Sequence, residues 1–143
     1  MQDCIFCKIA NNEMPATKIY ENDKVVAFLD IAPAVKQGGH TLVIPKEHYE
    51  TIADIPEDLF LEIAKVVRLI SKALLKFAEG LNIMQNNKEV AGQLVKHFHI
   101  HLVPRFEGDG CELGHWKSYS YENNKMQEIA EKIKNLLNEM QNS

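Results

Sequence analysis

Among its 143 residues the sequence has only three cysteines, five prolines and one tryptophan. Three cysteines, a small and odd number, cannot build the disulfide framework of a small secreted domain. Long apolar runs are missing as well. The longest is about Val25 to Leu29, far short of the roughly 20 residues of a membrane span. The N-terminus, Met1-Gln2-Asp3-Cys4, lacks the charged-then-apolar pattern of a secretory signal, so the expected compartment is the cytosol. There is no basic excess: 16 Lys and Arg face 20 Asp and Glu, a net charge of −4. That balance argues against a dedicated binder of duplex nucleic acid. Internal repeats and low-complexity runs are also absent. The remaining composition, 45% apolar and 25% charged, excludes wholesale disorder. The length predicts one domain, or one domain with a tail, over residues 1–143.

Element signals follow along the chain. Ile19 to Glu21 and Lys24 to Asp30 flank Asn22-Asp23 and read as a hairpin. Pro33, Gly38 and Gly39 mark a loop, and Thr41 to Ile44 a short buried strand ended by Pro45. Pro56, Glu57 and Asp58 open a helix whose apolar positions run Leu59, Ile63, Val66, Ile70, Leu74 and Phe77, with Gly80 as its stop. Leu81 to Gln85 is expected as a strand, Asn86 to Gln93 as a polar loop and Val95 to Val103 as an alternating strand. Phe106 to Tyr121 has no period and reads as loop. Met126, Ile129, Ile133, Leu136 and Met140 define a last amphipathic helix. This order fits an α+β domain with an antiparallel sheet better than a doubly wound one.

Half of the six histidines fall in His97-Phe98-His99-Ile100-His101. Alternation places these three histidines on one face of a strand, with Phe98, Ile100 and Leu102 turned toward a core. On that reading His99 stands on an open face, and its removal leaves no core cavity. Imidazole suits proton handling near neutral pH, nucleophilic attack and metal ligation. The residues alone leave a catalytic zinc on three histidines as a rival to nucleophilic chemistry.

The segment Gly92-Gln93-Leu94-Val95-Lys96-His97-Phe98-His99-Ile100-His101-Leu102-Val103 resembles the signature of the histidine triad (HIT) family. The resemblance extends to Cys4-Ile5-Phe6-Cys7-Lys8-Ile9, Ala27 to Ile31 and Gly39 to Lys46, and covers roughly residues 4–121, which implies a core at about 4–121 and a C-terminal helical extension at 122–143. It implies a five-stranded antiparallel sheet with a long helix and a C-terminal helix, and a homodimer sharing its sheets. It also implies nucleotide chemistry at an α-phosphate. In that scheme His99 is the nucleophile that forms a nucleotidyl-histidine intermediate. His101 is a phosphate contact that helps protonate the leaving group, and His40 connects to the triad by hydrogen bonds. His97 completes the triad. Asp30 matches the acid that holds the ribose hydroxyls. Ile5, Phe6, Ile9, Phe28, Leu29 and Ile31 match the apolar pocket for the base, and Asn86 and Gln93 match polar residues near the phosphates. Taken alone, His40 reads as a turn residue and several of the apolar residues as plain core. Two departures stand out. Leu94 occupies a position where many members carry Ser or Thr, and the Asp30-to-His40 loop is about two residues longer than in close bacterial relatives.

Cys4 and Cys7 form a Cys-x-x-Cys pair, which in a cytosolic chain is metal-binding or redox-active. No strand precedes the pair, which disfavours the redox reading. Members of the general prokaryotic branch with this pair bind structural zinc. The resemblance implies the ligand set Cys4, Cys7, His48 and His97. The activity implied is hydrolysis of adenosine 5′-phosphoramidates with release of AMP. Hydrolysis of dinucleoside polyphosphates and non-catalytic purine nucleotide sensing are the alternatives. Expected partners are a purine nucleotide substrate and a second copy of the chain, with no membrane and no nucleic acid duplex.

Overall fold

A computed structural model describes residues 3–142. The chain divides into two units, one ending at Leu113 and the other starting at Gly114.

The first unit is built on one five-stranded, wholly antiparallel sheet. Its strands are β1 (Lys18–Glu21), β2 (Val25–Leu29), β3 (Thr41–Pro45), β4 (Gly80–Gln85) and β5 (Ile100–Arg105), in the spatial order β1-β2-β3-β5-β4. The β1–β2 hairpin turns on Asn22, whose Oδ1 accepts the backbone N–H groups of Lys24 and Val25, both at 2.9 Å. Its side chain thus mimics a backbone turn. β2 and β3 are buried almost throughout because both faces of the sheet are covered.

One face packs against α2 (Glu57–Phe77), which buries Leu59, Ile63, Val66 and Ile70 onto Val25, Ala27, Val43, Ile100 and Leu102. Glu57 and Asp58 sit in its first turn, where carboxylates oppose the positive helix end. The helix stops at Phe77, three residues before Gly80, which opens β4 instead. The other face carries α1 (Ile5–Ala10), whose Phe6, Ile9 and Ala10 pack on Val26, Phe28, Leu42 and Ile44. This helix has too few residues to show a period in the sequence. Its N-cap is Cys4, whose sulfur accepts the Cys7 N–H at 3.3 Å, so the Cys-x-x-Cys pair is the helix's first turn.

The strand expected over Val95–Val103 is shorter at its start. Pairing with β3 begins at Val43 opposite Ile100. Just upstream the Phe98 N–H donates to the Tyr49 carbonyl at 2.6 Å, so this stretch follows the segment after β3 rather than the sheet. Phe98, Ile100 and Leu102 nevertheless enter the core together. After β5, Arg105 ties down the next loop. It donates to both carboxylate oxygens of Asp109 (2.9 and 3.1 Å), to Asn82 Oδ1 and to the Cys111 carbonyl.

The second unit contains α3 (Lys125–Gln141), none of whose residues is buried. Among the described residues no helix is long and apolar enough to cross a membrane.

Candidate active site and metal centre

Four imidazoles lie in a row on the α1 side of the sheet, and their hydrogen bonds fix which nitrogen carries each proton. His97 Nε2 lies 2.8 Å from the Pro45 carbonyl. A carbonyl only accepts, so Nε2 carries the hydrogen and Nδ1 offers a lone pair. His99 Nδ1 lies 2.7 Å from the His97 carbonyl, so His99 is protonated on Nδ1 and its Nε2 is a bare lone pair. His40 Nδ1 accepts the Ala34 N–H at 3.1 Å, so His40 holds its proton on Nε2 and donates it to His101 Nδ1 at 2.9 Å. That leaves His101 with a hydrogen on Nε2. His99 and His101 are therefore complementary, one presenting a lone pair and the other an N–H, with ring centres 4.9 Å apart.

Burial keeps all four rings neutral. It pushes His97 and His101 down to about 4, and it lowers His99 and His40 from 6.5, with Asp30 opposing the shift in both. A neutral His99 is what nucleophilic attack requires. The open face expected for His99 is not found. Its ring is only 5% exposed and meets Phe6 edge-on at 5.1 Å. The cause is α1, which covers this side of the sheet.

His99 and His101 line a cavity of about 250 Å³ together with Ile5, Phe6, Asp30 and Leu42, and with Gly92, Leu94 and Val95 at its loop side. Of the residues expected at a nucleotide site, the structure brings Ile5, Phe6, Asp30, His99 and His101 to this cavity. His40 supports it from behind, through His101. Asp30 has one oxygen accepting the Ala32 N–H at 2.9 Å and the other 3.8 Å from His40 Nε2. Gly39 sets His40 in place. Its φ is +85°, and a Cβ there would meet the Phe77 ring at 2.9 Å.

Other candidates sit elsewhere. Ile9 and Phe28 are core residues behind Phe6, and Leu29 is half-buried outside the cavity lining. Ile31 is 98% exposed. The Gln93 side chain is buried and engaged at both ends: its Oε1 accepts the Lys88 N–H at 2.7 Å and its Nε2 donates to the Glu50 carbonyl at 2.6 Å. It braces the loop instead of facing the cavity. The Asn86 amide reaches back to the Gly92 carbonyl at 3.4 Å. Leu42 and Val95 line the cavity and were not singled out from the sequence, where both read as ordinary strand residues.

Beside this site, Cys4, Cys7, His48 and His97 place one ligand atom each within 4.8 Å of one another. His97 Nδ1 is 3.3 Å from Cys4 Sγ and 3.5 Å from Cys7 Sγ, and His48 Nδ1 is 3.4 Å from Cys7 Sγ. A tetrahedral zinc with bonds of about 2.3 Å to sulfur and 2.0 Å to nitrogen separates such atoms by roughly 3.5 Å. The four residues fit that geometry. Burial and the neighbouring Cys4 push the Cys7 thiol up to about 11, and a bound cation would draw that proton off.

Residues 11–108 match the family model described as the HIT domain. The chain belongs to the HIT family. An uncharacterised HIT-like protein of Methanocaldococcus jannaschii is 51% identical over 108 residues, covering 75% of this chain and 82% of that protein. An adenosine 5′-monophosphoramidase of Candida albicans is 37% identical over 146 residues, covering 97% and 94%. Among solved structures, a histidine triad nucleotide-binding protein of Candida albicans superposes with a TM-score of 0.86 at 35% identity, covering 96% and 99% of the two chains. A zinc-bound histidine triad family protein of Mycobacterium smegmatis gives 0.72 at 36% identity, covering 82% and 85%. The mixed fold with its five-stranded antiparallel sheet is thus the HIT fold, as the sequence resemblance implied.

Proposed function

We propose that this HIT protein hydrolyses purine nucleoside 5′-phosphoramidates at the α-phosphorus. One observation carries the reading: a neutral imidazole with a bare Nε2 and a second imidazole with an Nε2–H line the same cavity as Asp30. Nucleotide sensing alone needs no such pair. The Candida albicans relative named as a monophosphoramidase supports the substrate class.

In the first step the His99 Nε2 lone pair forms a bond to phosphorus as the phosphorus–nitrogen bond of the substrate breaks. The departing nitrogen takes its proton from solvent and leaves as a neutral amine, while His101 Nε2–H, which His40 holds in line through Nδ1, donates a hydrogen bond to a phosphate oxygen and stabilises the charge growing there. Water then attacks phosphorus, the bond to His99 breaks, AMP leaves and the water's proton passes to solvent. The apolar wall of Ile5, Phe6 and Leu42 receives the base by stacking and burial, which discriminates weakly among bases. Asp30 takes the ribose hydroxyls. We assign zinc to Cys4, Cys7, His48 and His97 as a structural ion. When bound it would neutralise the two thiolates and lock His97, while the cavity chemistry stays with the imidazoles.

We further propose a cytosolic homodimer joined at β4, an edge of the sheet. Beside it lies an apolar cleft of about 360 Å³ between α2 and β4, lined by Phe60, Val67, Leu75 and Ile83 among others. Ser71 Oγ, on this cleft, is buried with no hydrogen-bond partner among the described residues. A second copy would cover the cleft.

The deciding experiment mixes enzyme with an adenosine 5′-phosphoramidate and reads intact mass on the millisecond scale. One adenylyl group per chain, mapped to His99, supports the reading. Turnover without such an adduct in either the native or a slowed variant enzyme overturns the covalent route. An adduct formed faster from a dinucleoside polyphosphate would move the substrate to that class.

A further inference from the structure

Helix α3 carries an apolar seam with no buried residue in it, and its spacing is that of a coiled coil. Met126, Ile129, Ile133, Leu136 and Met140 recur at steps of three, four, three and four, alternating a and d positions of a heptad. Met126, Ile133 and Leu136 are each about half exposed, and Met140 is 70% exposed. The opposite face is wholly polar: Gln127, Glu128, Glu131, Lys134, Asn135 and Asn138. A 17-residue helix is near the limit of what survives in water on propensity alone, and helices of this kind take their stability from packing the apolar face.

We propose that α3 pairs antiparallel with α3 of a second copy of this chain. The charges flanking the seam select the direction and register. Only Lys125, Lys132 and Glu139 occupy g positions, and Ala130 and Leu137 occupy e positions. In an antiparallel pair g faces g and e faces e. Setting Ile133 opposite Leu136 of the second copy also sets Ile129 opposite Met140. In that register Lys132 faces Glu139 twice, once on each side of the two-fold axis. Leu137 then lies over Ala130, large against small. A parallel pair would put Lys132 against Leu137 and lose both ion pairs. Four layers are too few to hold two free chains firmly. The pairing therefore rests on the proposed dimer, whose joined bodies would supply a high effective concentration of the second helix.

The test uses full-length chains carrying Cys111→Ser, one with Ile133→Cys and one with Leu136→Cys, distinguishable by mass. The two are mixed, allowed to exchange and oxidised mildly. A disulfide between residue 133 of one chain and residue 136 of the other, with little self-crosslinking of either variant, is the expected result. Adding Lys132→Glu to both chains should lower the crosslinked yield by about three- to tenfold, and Lys132→Glu with Glu139→Lys should restore it. Self-crosslinking at 133 would overturn the antiparallel arrangement. A dimer by sedimentation equilibrium with no crosslink would overturn α3 pairing and leave the sheet dimer standing. A monomer at all concentrations would remove both.

Discussion

The backbone carbonyl of His97 accepts the Nδ1–H of His99 at 2.7 Å, while the His97 ring itself faces the thiols of Cys4 and Cys7 at 3.3 and 3.5 Å. One residue thus joins the metal centre to the candidate nucleophile. The ring is clamped by the Pro45 carbonyl on one side and by the ligand cluster on the other. That clamp fixes the peptide whose oxygen orients His99 and selects its tautomer.

Removing the metal should therefore act on stability and on rate together. Cys4→Ser should lower bound zinc, lower Tm and lower kcat, with KM changing much less, because the residues around the base and ribose remain. Metal analysis, calorimetry and steady-state kinetics on one preparation check it. A metal-free protein of unchanged Tm would remove the structural assignment of zinc. An unchanged kcat at reduced Tm would break the link to His99.

His99→Asn should retain the fold while turnover collapses. The asparagine amide can still donate toward the His97 carbonyl, but it has no nucleophilic nitrogen. Loss of a nucleophile costs on the scale of about 10⁴ or more in rate. Since the ring is buried against Phe6, Tm should also drop by a few degrees, a cost that an open-face position would not carry. Circular dichroism and an adenosine phosphoramidate assay read both. Activity within tenfold of the parent would sink the covalent mechanism.

How much of this was legible beforehand depended on the range of each interaction. The hairpin, α2, β4 and α3 are written in local periodicity and turn residues, and the structure has them within a few residues of the expected bounds. The alternation through Phe98, Ile100 and Leu102 also predicted their shared burial correctly. What local pattern could not show was α1, six residues long, and hence the cover it places over His99. The late start of β5 depends on Phe98 bonding to Tyr49, 49 residues upstream. Gln93 is similar: a glutamine beside the triad invites a ligand role, and only the distant Glu50 carbonyl shows that its amide is already engaged.

That engagement makes Gln93→Ala a test of loop bracing. The change removes the partner of the Lys88 N–H and of the Glu50 carbonyl, two part-buried hydrogen bonds worth about 0.5–1.5 kcal/mol each. Denaturant unfolding should show a loss in that range. Activity should fall through loosening of the Lys88–Gly92 turn that ends at the cavity. A stability change below about 0.5 kcal/mol would mean the two bonds are not both made in solution.

Stability should fall with acid through the imidazole chain. His101 titrates at about 4 in the fold against 6.5 in the unfolded chain, because burial disfavours its charge. Between those values the unfolded chain binds more protons, so stability is full above about pH 6.5 and is lost as pH falls toward 4. Tm measured from pH 8 to 4 should show this descent, and His101→Gln should make it shallower. Identical slopes for the two proteins would show that His101 contributes no such linkage.

Asp30 should read the ribose, and the comparison that shows it uses two proteins and two ligands. Asp30 lines the cavity at the end of β2, beside Phe6 and Leu42. Its Oδ1 is partly engaged by the Ala32 N–H, and its Oδ2 has His40 Nε2 as a distant neighbour at 3.8 Å. An ionised carboxylate repels a phosphate, so this residue belongs at the sugar end of a bound nucleotide. Its oxygens can accept both hydroxyls of a cis-diol, each bond to a charged acceptor being worth about 1.5–3 kcal/mol. Asp30→Ala should weaken AMP binding by about one to a few powers of ten. The same substitution also removes the Ala32 bond and the charge near His40, and either effect would weaken any ligand. For 2′,3′-dideoxy-AMP, which lacks both hydroxyls, the loss on substitution should be much smaller. Titration calorimetry of the four pairs gives the coupling between carboxylate and diol directly. Equal losses for the two ligands would assign Asp30 to holding the loop, and the ribose contact would have to come from another residue.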